Sequence, residues 1–84
     1  MKAQLLDIQK HPSKYEGDFY YLFFKDENGK NYKSCVGDAF RNWKNWSDII
    51  ANFDKGNPIW LDGLKLKGEL IDADSKPKRI DVDD

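Results

Sequence analysis

An Asn-Gly pair at positions 28–29, flanked by the aromatic run DFYYLFFK (residues 18–25) and the segment NYKSCV (residues 31–36), constrains this chain more than any other feature. Asn-Gly is the strongest short signal for a β-hairpin, because a type I′ turn needs positive φ at both central positions. A two-residue turn there pairs Glu27 with Lys30. It sets Phe24 opposite Lys33, Phe23 opposite Ser34, Leu22 opposite Cys35 and Tyr21 opposite Val36. Strand alternation then sorts the side chains into two faces. One carries Phe19, Tyr21, Phe23, Tyr32 and Val36; it is the more apolar and is the expected core. The other carries Tyr20, Leu22, Phe24, Lys33 and Cys35, and is the expected ligand face.

The rest of the chain supplies elements around this hairpin. Residues 3–10 (AQLLDIQK) read as a first strand ended by His11-Pro12, and residues 11–17 hold loop chemistry. Gly37-Asp38 closes the third strand, with Asp38 suited to cap a helix. Residues 39–53 then follow helical spacing. Phe40, Trp43 and Ile50 lie near one stripe, with Trp46, Ile49 and Phe53 near its edge. Lys55-Gly56 and Pro58 end the helix. Trp43 and Trp46 read as core residues. Residues 59–67 are strand-like, and Asp62-Gly63 is either a tight hairpin or a bulge in one curved strand. Residues 68–77 are polar loop around Leu70-Ile71, and residues 78–82 form a last short strand. This order predicts a mainly β domain: a small five-stranded OB-type barrel with one α-helix between strands three and four. An SH3-like barrel would lack so long a helix, and a ferredoxin-like fold would need two. The domain is expected over residues 1–80, followed by a short acidic end at 81–84.

Charge narrows the classes of partner. Fourteen basic and fifteen acidic residues leave a net charge of −1, which excludes a strongly basic nucleic-acid binder but not a local basic patch. Asp81, Asp83 and Asp84 are part of the acidic total, so the remainder of the chain is slightly positive. One cysteine, Cys35, can form no internal disulfide and has no companions for zinc, which suits a reducing compartment. No apolar run approaches the roughly 18 residues of a membrane span, and no signal-peptide core is visible. A cytoplasmic protein with no membrane contact is expected.

The stretch Lys55-Gly56-Asn57-Pro58-Ile59-Trp60-Leu61-Asp62-Gly63 resembles the helix exit and fourth strand of bacterial single-stranded DNA-binding proteins. In that pattern Lys-Gly closes the helix, alternating apolar residues point inward, and a glycine lets the strand bend. The resemblance covers about nine residues and the general order of elements. It departs after Gly63, where the chain has Leu64-Lys65-Leu66. It implies an OB-fold that binds single-stranded DNA or RNA, as a replication or recombination accessory of a phage or mobile element.

The residues add a chemical case to that expectation. Single-strand binders stack bases on aromatic faces and track phosphates with lysine and arginine. Trp60 lies between inward Ile59 and Leu61 and should point outward. The expected nucleic-acid-binding set is Tyr20, Phe24 and Trp60 for stacking, with Lys33, Lys65 and Lys67 for phosphates. The alternative is a protein-interaction module that binds or inhibits a polymerase, a primase or a host defence factor, with Trp60 as its anchor. No catalytic residue is expected. His11, the only histidine, precedes a proline in a loop with no nucleophile to pair with. No metal or other cofactor is expected either, since Asp72 and Asp74 lack further fixed ligands.

Overall fold

The turn between the aromatic strands is one residue longer than Asn28-Gly29 alone implies. In a computed structural model, which describes residues 1–14 and 16–81, the Gly29 N–H donates to the Asp26 carbonyl at 3.1 Å and the Asp26 N–H to the Lys30 carbonyl at 2.9 Å. The Asp26 carboxylate accepts from the Asn28 and Lys30 N–H groups, both at 2.9 Å. Gly29 takes a φ of +84°. This is a three-residue loop, a type I turn followed by a glycine in the left-handed region. It corrects the pairing of Glu27 with Lys30 and moves the register by one. Phe24 opposes Tyr32, Phe23 opposes Lys33, Leu22 opposes Ser34, Tyr21 opposes Cys35 and Tyr20 opposes Val36.

That single step exchanges the two faces of β2 relative to β3, so that Tyr32 and Val36 stay inside as expected while the β2 side chains swap sides. Leu22, Phe24, Ser34 and Val36 are buried, and Tyr20 and Tyr32 pack against the same core. Phe19, Tyr21, Phe23, Lys33 and Cys35 occupy the other, outer face. Phe19, Tyr21 and Phe23, expected in the core, are therefore on the outer face.

The strands are β1 (Ala3–Pro12), β2 (Asp18–Asp26), β3 (Asn31–Gly37), β4 (Ile59–Asp62), β5 (Leu66–Lys67), β6 (Leu70–Ile71) and β7 (Lys78–Ile80). They form one seven-stranded sheet in the order β5-β6-β3-β2-β1-β4-β7, curled into an open half-barrel. All pairs are antiparallel except β3 with β6. The fold is mainly β as expected, but with seven short strands in place of five. Among the described residues, no helix is long and apolar enough to cross a membrane.

β1 does not stop at His11-Pro12; it continues through Pro12, which pairs with Asp18. Proline is tolerated there because only β2 flanks this half of β1, and β4 covers Ala3–Leu5 alone. The Asp7 carboxylate accepts the Ile8 N–H at 2.9 Å. Past Gly63 the main chain meets β1 again, one residue out of step. The Leu64 N–H donates to the Met1 carbonyl at 3.2 Å, and the Met1 ammonium to the Leu64 carbonyl at 2.7 Å. Gly63 thus sits at a bulge, not at a hairpin.

The helical stretch is shorter and broken. A 3₁₀ segment covers Arg41–Asn45 and α1 covers Ser47–Asn52. Asp38 caps neither; its carboxylate accepts the Asp18 N–H at 2.9 Å and ties down the start of β2. The 3₁₀ geometry explains why Trp46 displaces Trp43 from the centre of the core. Residues three apart eclipse in that geometry, so Phe40, Trp43 and Trp46 fall on one line, bonded in steps of three. Trp46 is fully buried and its ring meets Phe24 edge-on at 6.4 Å, while Trp43 packs half-buried on the Tyr20 ring at 5.0 Å. The Trp46 indole N–H donates to the Ala73 carbonyl at 2.8 Å.

Two buried serines fasten the later strands. Ser34 donates to the Ile71 carbonyl at 2.8 Å, and Ser75 accepts the Lys65 N–H at 2.9 Å. The expected acidic end at 81–84 lies outside the described residues except for Asp81.

Candidate functional site

The outer face of the sheet carries the candidate site, and its composition follows from the corrected register. Opposed residues in a strand pair share a face. Reading across from β5 to β1 gives one row of Lys67, Leu70, Lys33, Phe23 and Asp7. The next row gives Cys35, Tyr21 and Gln9, and a third gives Gly37, Phe19 and His11. In the other direction, Asn31, Lys25, Gln4, Trp60 and Ile80 form a row that reaches β7.

Tyr21 and Phe23 on this face are each half-buried. The Lys33 ammonium lies 4.4 Å from the Tyr21 ring centroid and 5.8 Å from that of Phe23. A cation held over a ring is an electrostatic contact with the ring quadrupole. His11 meets the other side of Tyr21 edge-on at 4.9 Å. At the far end, Phe40 folds over Gly37 beside Phe19, with the two rings 6.1 Å apart. A Cβ at Gly37 would lie 2.6 Å from the Phe40 ring, so the glycine is what allows this approach. Phe40 remains 57% exposed and extends the aromatic stripe to the sheet's end.

Towards the hairpin turn the face opens into a cleft of about 420 Å³ lined by Phe23, Lys30, Asn31, Tyr32, Lys33, Glu69 and Leu70. It exists because β6 meets β3 at only one bridge, Lys33 with Leu70. The Gly68-Glu69 turn then stands across from the exposed start of β3. A second hollow, of about 480 Å³, lies beside α1 and is lined by Asp48, Ile49, Asn52, Ile59 and Arg79. It offers one cation and no aromatic ring.

The expected site residues are divided by this arrangement. Lys33 stands at the centre of the outer face. Trp60 points to that face too, paired with Gln4 and opposite in direction to buried Leu61. Lys67 joins the same face at the sheet edge, and Lys65 is exposed just before it. Tyr20 and Phe24 belong to the inner face: Phe24 is 1% exposed and Tyr20 is stacked under Trp43. Tyr21 and Phe23, expected in the core, lie on the outer face instead.

A signal for this existed in the chain. Asp26, three residues before Gly29, is the residue type favoured at the first position of a type I turn, and glycine is favoured at the fourth. With that turn, Lys25 and Lys33, which a two-residue turn would put on opposite faces, fall on one face. Cys35 lies on the same face next to Tyr21; partial burial pushes its thiol above the usual range, with Lys33 pulling it the other way. No family model, no curated protein and no solved structure matches this chain.

Proposed function

We propose that the outer face binds single-stranded nucleic acid, with Tyr21 and Phe23 stacking bases and Lys33, Lys67 and Lys25 meeting phosphates. The observation that carries this reading is the pair of half-buried rings two residues apart on β2 with one lysine ammonium near both. Alternate residues on a strand lie roughly 7 Å apart, a distance that a single strand with splayed bases can span. Trp60 adds a third platform on the same face. We read the fold as OB-type. Antiparallel pairing of β1 with β4, parallel pairing of β3 with β6, and a helical stretch between β3 and β4 support that reading.

The test is an anisotropy titration with a labelled thymidine nonamer across a salt series. Tyr21→Ala and Phe23→Ala should each lower affinity roughly ten- to a hundredfold, since stacking on one aromatic is worth about 1–3 kcal/mol. Lys33→Ala should reduce the salt slope by about one counterion. Absence of binding at low salt and high protein concentration overturns the proposal. One observation favours the alternative, a protein-interaction module. Phe40, Leu66 and Leu70 are 57%, 48% and 52% exposed, and large exposed apolar residues suit a protein partner. Loss of a protein complex in Leu70→Ser, with no oligonucleotide binding by the wild type, would favour that reading.

A further inference from the structure

We infer that the cleft at the hairpin end of this face is a guanine-reading subsite, with Glu69 as the residue that selects the base. The inference rests on the nucleic-acid reading above and deepens it. The cleft wraps the edge of β3, lined by Phe23 and Leu70 from the outer face and by Tyr32 from the inner one. Two cations, Lys30 and Lys33, stand among its lining residues, each against an aromatic ring, Lys30 over Tyr32 at 5.2 Å and Lys33 over Phe23 at 5.8 Å. Its volume of about 420 Å³ is in the range of small-ligand sites, roughly 300–1,000 Å³. Flat walls with cations beside them suit a base with its phosphate.

Glu69 is the residue that such a surface does not otherwise explain. A carboxylate on a phosphate-binding face repels the backbone it should attract. Among the described residues, no hydrogen bond or ion pair engages its side chain, so it does not serve as an internal partner for Lys30 or Lys33. An ionised carboxylate only accepts hydrogen bonds. Guanine alone among the common bases presents two adjacent donors, N1–H and the N2 amino group, on its Watson–Crick edge. Thymine and uracil present one donor between two carbonyl oxygens, while adenine and cytosine place an acceptor next to the amino group. The two oxygens of Glu69 therefore match guanine and repel part of every other base.

The experiment compares a labelled thymidine nonamer with the same strand carrying one central guanine, at low salt, for the wild type and for Glu69→Gln. A good bidentate contact discriminates by about ten- to a hundredfold, and the guanine strand should bind tighter by that factor. Inosine, which lacks the N2 amino group, should recover only part of the gain, and 7-deazaguanine should recover all of it. Glu69→Gln should abolish the preference while binding the thymidine strand at least as tightly as wild type. Glu69 is exposed on a turn, and an unchanged unfolding midpoint confirms that the variant folds. Equal affinity for both strands, or a preference that survives Glu69→Gln, overturns the guanine subsite and leaves the stacking face standing. No binding to either strand overturns both.

Discussion

The two faces of the β2–β3 hairpin are built from similar residues and have opposite fates. On the inner face Leu22, Phe24 and Val36 are at most 1% exposed, because Trp46, Leu5, Leu61 and Ile71 lie in the same cluster. On the outer face Tyr21 and Phe23 carry as much apolar area, yet among the described residues only their sheet neighbours and the Lys33 side chain touch them. Aromatic content therefore does not decide which face becomes core. Charge does: across residues 19–25 and 31–36 the charged side chains are Lys25 and Lys33, and both fall outside. Burying an ammonium costs several kcal/mol, more than one aromatic ring repays.

Three changes test that contrast. The largest effect is expected for Phe24→Ala, which should lower stability by about 3–5 kcal/mol in urea unfolding. The matched change Phe23→Ala should cost less than about 1 kcal/mol, as surface changes do. Similar losses from both would mean that the outer face is covered in solution. A smaller effect is expected on deleting Glu27. Asp26 then opposes Lys30 across a two-residue Asn28-Gly29 turn, and the strands keep their register. Stability should move by no more than about 1 kcal/mol, and cross-strand NMR contacts between Phe23 and Lys33 should persist. Contacts between Phe24 and Lys33 in that variant would mean that the turn does not set the faces. The smallest effect concerns Cys35. Because partial burial raises its thiol pKa, it should react with iodoacetamide more slowly than free cysteine at pH 8, since the thiolate is the nucleophile. A bound oligonucleotide should slow it further. Reaction as fast as free cysteine would remove the shielding from the account of this face.

The same contrast shows what was legible from the residues alone. The hairpin, the helical region before β4, the outward direction of Trp60 and the bend at Gly63 all rest on local chemistry, and they are present. The register was not legible from Asn28-Gly29, because the pair fits two turns. The carboxylate of Asp26, accepting two N–H groups, selects the longer one. Trp46 was legible as a core residue, but its place at the centre ahead of Trp43 was not, for a similar reason. Helical spacing assumes 3.6 residues per turn, and the 3₁₀ segment over Arg41–Asn45 rotates everything after it. The Glu69 cleft depends on where a two-residue strand, β6, meets β3, which is a long-range contact that no local pattern encodes.

The uncovered half of β1 has a consequence for how molecules of this protein meet one another. Main-chain donors alternate in direction along a strand, so the positions of Ile8, Lys10 and Pro12 face away from β2. An exposed row of donors is a template on which another chain can add a strand and start an aggregate. Here the Ile8 N–H is already taken by the Asp7 carboxylate, and Pro12 has no N–H to offer. Lys10 is left as the one outward main-chain donor among the described residues of that stretch, and its ammonium is held 3.3 Å from Asp18. A strand arriving at this edge would find a single main-chain donor with a charged side chain beside it, so strand addition along this stretch of β1 is disfavoured.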